Sequence, residues 1–528
     1  MTKLQIQDKQ HNDLKIKYSN LVVAKEISEN NLKEEITVLK KELVQKDKQI
    51  VSLYEIILKI DAKVDALTVQ VEDLTKENIA LKETISIQND QILKLKSRIN
   101  KDSDNSSKPS STNGFKKPIQ NSREKTGKKI GGQLGHKGFT LYPFSNPTEV
   151  FVKKVLECDE CGGEVENTDQ STAKQILDLK FSIQILEERV HSGTCLKCGK
   201  KHTAEFSENY INPIQYGSNI KSLITLLNSH GFVSINKTKD ILNSISGNLL
   251  NISDASIVNI QNSLSDKLEN TINSIKENLI KCRVLNADET GCRVNAKTNW
   301  VQVFSNKFFT LCGHDKKRGS ATIEEMGILD YFIGILVHDH FSAYYKNSLV
   351  THSECNAHIL RYLKSIIETF KRDWAKEMIE HLVDILKRKK QKLVLGINSL
   401  DSAELEEISI KYSGILEKGQ SAYAEAIKGK KNISYFNDER LLLKRLIEFK
   451  DEHLRFITNF EAPFDNNQAE RDLRSFKTKT KVSGCFRSEK GIAAFTNIYS
   501  LISTLKKQDM NIFKNIHDIF DGKELIFT

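Results

Sequence analysis

The chain has 528 residues, 39% hydrophobic and 28% charged, with a formal net charge of +10 and nine cysteines. That length accommodates two to four domains. No run of 18 apolar residues and no apolar leader appears, which predicts a soluble, cytoplasmic protein with no membrane partner, and so few cysteines exclude a secreted disulfide scaffold.

Residues 1–108 contain neither Gly nor Pro, which favours long helix. From Leu32 to Leu95 one heptad register persists. Ile36, Ile50, Ile57, Val64, Val71, Ile85 and Ile92 fall at a, and Leu32, Leu39, Leu53, Leu67, Leu74, Leu81 and Leu95 at d. β-Branched residues at a with Leu at d predict a parallel two-stranded coiled coil over 1–100, with Asn78 fixing its register. At 1.5 Å per residue it would reach on the order of 100 Å. The expected role is assembly of a homodimer or higher homo-oligomer; an antiparallel hairpin within one subunit is the alternative.

The charge is unevenly placed. Residues 1–100 hold 17 basic and 16 acidic side chains, whereas residues 101–140 hold nine Lys/Arg against three acids. The second stretch, rich in Ser, Asn, Gly and Lys, reads as a flexible basic arm. Lys125, Lys128 and Lys129 within it are candidate contacts to DNA phosphates.

Cys158-Asp-Glu-Cys161-Gly and Cys195-Leu-Lys-Cys198-Gly are two matching knuckles. Glycine after each second cysteine permits the tight turn that aims backbone N–H groups at sulfur. Four thiolates suit one structural tetrahedral Zn²⁺, which would staple a small module over 141–212. A redox pair or unmetallated thiols are the alternatives.

Residues 213–281 carry helical periodicity. Segments 234–242 and 251–260 are spaced as a possible helix-turn-helix, with Ser253 or Asp254 capping the second helix. From Cys282 the pattern changes to strands: Cys282–Val294, Trp300–Phe304 and Phe308–Cys312, with a turn at Asn295–Asn299. A short helix near Ala321–Met326 then leads to the apolar run Ile333–Val337. A three-stranded meander, a helix and a further strand are what an RNase H-like core over 282–345 requires. Helical patterns fill 346–460 and predict an insertion, after which 461–528 returns to the core.

Asp288 lies on the first of these strands, Asp339 ends the Ile333–Val337 run, and Glu470 lies in the helix-opening segment 465–474. Hard carboxylates on two strands and a helix suit two Mg²⁺ or Mn²⁺ ions per site for in-line phosphoryl transfer. Glu289, one residue from Asp288, should face the other side of its strand. Arg471, Arg474, Lys477, Lys479, Lys481 and Arg487 follow the glutamate and would line a DNA track. Lys316, Lys317 and Arg318 form a second candidate contact. Cys355-x-x-His358 supplies only two ligands and reads as packing.

Together these segments resemble the insertion-sequence-66 type of transposase, a DDE-group family with an RNase H-like catalytic core. The resemblance covers roughly 105–520. It is carried by residues 127–139, the paired knuckles, ADETG (287–291), HDHFSAY (338–344), CNAHILR (355–361), DNNQAERDLR (465–474) and KVSGCFRSEKG (481–491). Cys292 after the DETG glycine departs from the family's usual Trp or aliphatic residue. The resemblance implies Asp288, Asp339 and Glu470 as catalytic triad. It implies double-stranded DNA (element ends and target) as partner, with possible accessory proteins of the same element, and a nucleoid-associated prokaryotic location. The implied chemistry is phosphodiester hydrolysis followed by transesterification. The expected fold class is multidomain α+β: coiled coil, zinc-knuckle module, helical DNA-binding region, and an RNase H-like α/β core interrupted by a helical insertion. An RNase H-like nuclease or resolvase not dedicated to mobility, or a catalytically decayed DNA-binding scaffold, are the competing readings.

Overall fold

The computed structural model describes residues 141–528 except Asn209, Lys431 and Asn432, together with His11, Tyr18, most of 75–92 and Gly135. The chain divides into two units, Met1–Ile99 and Asn100–Thr528. In the first unit the described residues are helical, and Leu81, Ile85 and Ile92 are exposed on the single chain. Most of the heptad register, and Lys125, Lys128 and Lys129 of the basic arm, lie outside the described residues.

In the second unit both knuckles form. Cys158 N–H donates to Gly163 O at 2.8 Å and Cys195 N–H to Lys200 O at 2.8 Å. Gly162 and Gly199 take φ of +69° and +71°, left-handed values that a side chain would strain. Strands β1 (Ser192–Thr194) and β2 (Lys201–Thr203) pair antiparallel around the second knuckle. No described residue of 141–215 is buried, so this stretch has no apolar core of its own.

Four helices follow: α1 (Ser218–Thr225), α2 (Ile235–Ile245), α3 (Asp254–Asp266) and α4 (Glu269–Ile280). Ser234 and Ser253 cap α2 and α3 by accepting from Lys237 N–H and Ser256 N–H. The expected helix pair is present in 213–281.

The central sheet comprises β3 (Val284–Val294), β4 (Lys297–Ser305), β5 (Thr310–Asp315), β6 (Ile335–His338) and β7 (Thr351–Glu354), ordered β5-β4-β3-β6-β7. β4 pairs antiparallel with both β3 and β5, whereas β6 runs parallel to both β3 and β7. Helix α5 (Ser320–Met326) connects β5 to β6. Two details differ from expectation. The β3–β4 turn is only Asn295-Ala296, both at positive φ, so pairing begins at Val294↔Lys297 inside the stretch expected to be loop. β7 falls inside the expected helical insertion. Its sequence Thr-His-Ser-Glu has no apolar alternation because its buried positions, Ser353 and Glu354, are polar.

After β7 come α6 (Asn356–Phe370), α7 (Asp373–Val394), α8 (Ser402–Ile427), α9 (Asn437–Glu448) and α10 (Lys450–Thr458). Then α11 (Asn467–Ser483), α12 (Glu489–Lys507) and α13 (Ile512–Phe520) close the chain. One sheet face, with Leu285, Ala287, Phe304, Leu311 and Leu336, packs with α1–α4, α12 and α13. On the other face Ile335 and Val337 pack with α6–α10. Cys292, Val301, Val303 and Cys312 on that same face pack with α11 and α12. The period-2 alternation of β3 therefore puts Asp288 on the α11 face and Glu289 on the opposite one. Among the described residues no helix is long and apolar enough to cross a membrane.

Candidate active site

Strand register brings the two aspartates together. Asn286 on β3 is level with Val337 on the parallel β6, and two residues further along each chain lie Asp288 and Asp339. One Asp288 Oδ accepts from Glu289 N–H at 2.8 Å, and one Asp339 Oδ accepts from Phe341 N–H at 3.0 Å.

Glu470 arrives on α11, and a buried asparagine fixes the approach. Asn466 Nδ2 donates to Ala287 O at 2.7 Å, while its Oδ1 accepts from Asn286 Nδ2 at 2.9 Å. Its backbone N–H donates to Cys355 Sγ at 3.1 Å, and its carbonyl accepts from Glu470 N–H at 3.2 Å. One residue thus ties β3, the start of α6 and the first turn of α11 to each other. At the N-cap of α11 the Asn466 side chain makes no capping bond; it bonds to β3 instead.

The site is a buried collection of like charges. Burial first, then the Asp339 carboxylate, with Glu470 adding to them, push the Asp288 carboxyl up to about 8. Asp339 is also raised by burial, against the opposing pull of Phe341 N–H, Arg445 and Arg318. Glu470 Oε1 is buried and has no hydrogen-bond partner. Its nearest cationic neighbours stand off: Arg361 Nη2 is 3.9 Å from Oε2 and His358 Nε2 is 3.9 Å from Oε1. Asp339 and Glu470 are thus near enough to raise Asp288, but among the described residues the three acids do not gather their oxygens into one ligating set.

The basic residues divide. Lys316, Lys317, Arg474, Lys477, Lys481 and Arg487 are exposed. Arg471 is exposed and donates to Gln468 at 2.9 Å. Arg318 pairs with Glu289 and lies over the Trp300 and Phe341 rings at 4.9 and 4.6 Å, so it braces the rim of the carboxylate cluster. Lys479 faces inward, contrary to expectation. It is buried, and its Nζ donates to Asn228 O and Oδ1 at 2.9 and 3.0 Å, joining α11 to the turn after α1. Helical periodicity explains this: Lys479 is three residues past buried Phe476, on the packed stripe.

Sequence reasoning missed Glu354, which is fully buried beside the Asp339 loop. It accepts from His340, Tyr345, Arg445 Nε (2.8 Å) and His453 Nε2 (2.8 Å). Burial alone would raise its carboxyl, but the bonds from His340 and His453 and the charge of Arg445 hold it well below the usual range. No local pattern signals such a hub, because its partners lie up to 99 residues away. Among the described residues, one set of three or more ligating side chains converges: Cys355, His358 and Glu470. The sulfurs of the two knuckles are therefore not gathered into one such set here, although Cys158 with Cys161 and Cys195 with Cys198 are hydrogen-bonded pairs.

A five-stranded mixed sheet packed by helices on both faces defines a mixed α/β protein. The chain belongs to the Transposase IS66 family, whose model matches residues 214–494 and so encloses all three acids. Residues 9–141 match a second model, described as a family of unknown function (DUF6444). An uncharacterized protein of Sinorhizobium fredii, y4jO, is 36% identical over 83 residues, which is 16% of this chain. The match spans about a quarter of that relative (26%).

Proposed function

We propose that the chain is a DNA transposase of an insertion sequence, which binds the element ends and catalyses phosphodiester cleavage and strand transfer. The observation that carries this reading is the Transposase IS66 family match over residues 214–494, within which Asp288, Asp339 and Glu470 all fall; the strand register that puts Asp288 and Asp339 at neighbouring positions supports it. The strand order β5-β4-β3-β6-β7, with a single antiparallel meander and two parallel additions, supports the RNase H-like core.

Asp288 and Asp339 would hold a shared Mg²⁺ or Mn²⁺, and Glu470 would complete the second site. Such ions supply charge stabilisation to the attacking and leaving oxygens of an in-line displacement. The chain's own contribution is positioning. Asn466 fixes α11 on β3, Arg318 braces the loop after β5 against Glu289, and exposed Arg471, Arg474, Lys481 and Arg487 would hold DNA phosphates next to the acids. Lys316 and Lys317, and the arm residues Lys125, Lys128 and Lys129, would extend that electrostatic track. The four knuckle cysteines would take one structural Zn²⁺, which a segment without a buried residue needs in order to hold its shape. Residues 1–100 would join two chains and so bring two element ends together.

The test is a strand-transfer assay on labelled end DNA with Mg²⁺ or Mn²⁺. Single replacement of Asp288, Asp339 or Glu470 by Ala should abolish cleavage and leave end binding within a few-fold of wild type. Normal cleavage by any one of these variants removes that residue from the triad.

A further inference from the structure

The C-x-x-H spacing places Cys355 at the N-cap of α6 and His358 in its first turn. Glu470, in the first turn of α11, meets both, so that one ligating atom from each lies within 4.8 Å of the others. Cys355 is fully buried, and its Sγ accepts the Asn466 N–H at 3.1 Å. His358 Nδ1 and Glu470 Oε1 are both buried without a hydrogen-bond partner. The His358–Glu470 approach of 3.9 Å is too long for a hydrogen bond. Ligating atoms of all three residues thus converge, and two of the residues carry a buried atom with no hydrogen-bond partner.

We infer that Cys355, His358 and Glu470 form a binding site for a borderline-soft divalent cation of the Zn²⁺ or Co²⁺ class. Sulfur and imidazole nitrogen select such ions over Mg²⁺, which prefers the all-oxygen pair Asp288 and Asp339. Around a tetrahedral ion with bonds of about 2.0–2.3 Å, ligand atoms sit roughly 3.3–3.8 Å apart. The trio must therefore close by about 1 Å, which side-chain rotation supplies. On binding, the Cys355 S–H bond breaks, its proton passes to solvent and the sulfur lone pair forms the metal bond. If the transposase reading holds, the shared Glu470 makes this site a brake. An ion held there draws the carboxylate toward α6, so Zn²⁺ should oppose Mg²⁺-dependent cleavage.

The experiment is a Co²⁺ titration of the reduced, metal-stripped full chain, following the near-ultraviolet thiolate-to-cobalt band and bound metal by equilibrium dialysis. Wild type is compared with Cys355→Ser, His358→Gln and Asp288→Asn. The knuckle cysteines are unchanged in all four proteins and cancel in the comparison. Cys355→Ser should lose one equivalent and its share of the band, His358→Gln should bind that equivalent at least about tenfold more weakly, and Asp288→Asn should retain it. Equal stoichiometry and band in wild type and Cys355→Ser overturns the site. Where Cys355→Ser melts early in EDTA, wild-type cobalt binding by His358→Gln overturns it instead. Failure of the cobalt difference with cleavage still abolished in Asp288→Ala leaves the transposase reading standing. A cobalt site present with normal Asp288→Ala cleavage does the reverse.

Discussion

Asp288 offers a quantitative test of the carboxylate cluster that needs no DNA. Its carboxyl rises from an ordinary 3.8 to about 8 through burial and through Asp339 and Glu470. A group that holds its proton more tightly folded than unfolded gives its full stabilisation below the unfolded value. That stabilisation drains away as pH climbs to the folded value and stays lost above it. The window is therefore about pH 4 to 8. Each pH unit within it costs about 1.4 kcal/mol, so the loss is about 1–2 kcal/mol at pH 5 and about 5 kcal/mol at pH 8 and above. Asp288→Asn keeps an oxygen for the Glu289 N–H and removes the ionisation. In EDTA the variant should melt above wild type by a margin that widens with pH. At roughly 2 °C per kcal/mol for a unit this large, the gap should be a few degrees at pH 5 and about 10 °C at pH 9. Calorimetry at both values reads it directly. Added Mn²⁺ at pH 8 should raise the wild-type midpoint and move the variant far less. A gap that does not change between pH 5 and pH 9 would refute the argument that Asp288 is charged only at a cost.

Two further outcomes probe the supports of the site. Freshly purified reduced protein should contain a Zn²⁺ held by Cys158, Cys161, Cys195 and Cys198, over and above any ion at Cys355, His358 and Glu470. Cys195→Ser should lose that zinc and render residues 141–212 protease-sensitive, and absence of zinc by metal analysis sinks the assignment. Asn466→Ala should destabilise the second unit by about 2–4 kcal/mol, because it strands the buried Asn286 amide and the Ala287 carbonyl; a denaturant midpoint shift worth under about 1 kcal/mol would show that Asn466 does not join β3 to α11.

Long β-strands and a strand-ending aspartate were legible because positions buried on both sheet faces leave near-continuous apolar runs in the sequence. Val301, Val303 and Phe304 on β4, and Leu336 and Val337 on β6, are such positions. The family motifs carried the three acids, and register then made two of them neighbours. What stayed hidden is polar and long-range. β7 buries a serine and a glutamate, so no apolar pattern announces it. Lys479 reads as a surface charge until the turn around Asn228 supplies its acceptors. Asn466 looks like a helix cap, and only β3, 179 residues earlier, shows what its amide serves.

The helices between Asp339 and Glu470 are held to one another, and to the segment that leads into α11, by buried polar side chains. Lys389 of α7 donates from a buried Nζ to Phe456 O at 2.8 Å and to Ala462 O at 2.7 Å, fixing the segment that leads into α11. Glu354 draws Arg445 of α9 and His453 of α10 onto β7, beside the loop that carries Asp339. Glu439 of α9 accepts from Arg372 at 2.8 and 3.1 Å and from Trp374 Nε1 at 3.1 Å, locking α9 against the start of α7. Buried charges of this kind add little net stability, because desolvation offsets most of their attraction, yet breaking one leaves an uncompensated charge worth about 3–5 kcal/mol. Their effect is geometric: each carboxylate and ammonium accepts one arrangement of partners, where an apolar contact would tolerate several. An insertion packed only by leucines could shift by an ångström at modest cost. Pinned by Glu354, Glu439 and Lys389, it holds in one arrangement the segment that leads into α11.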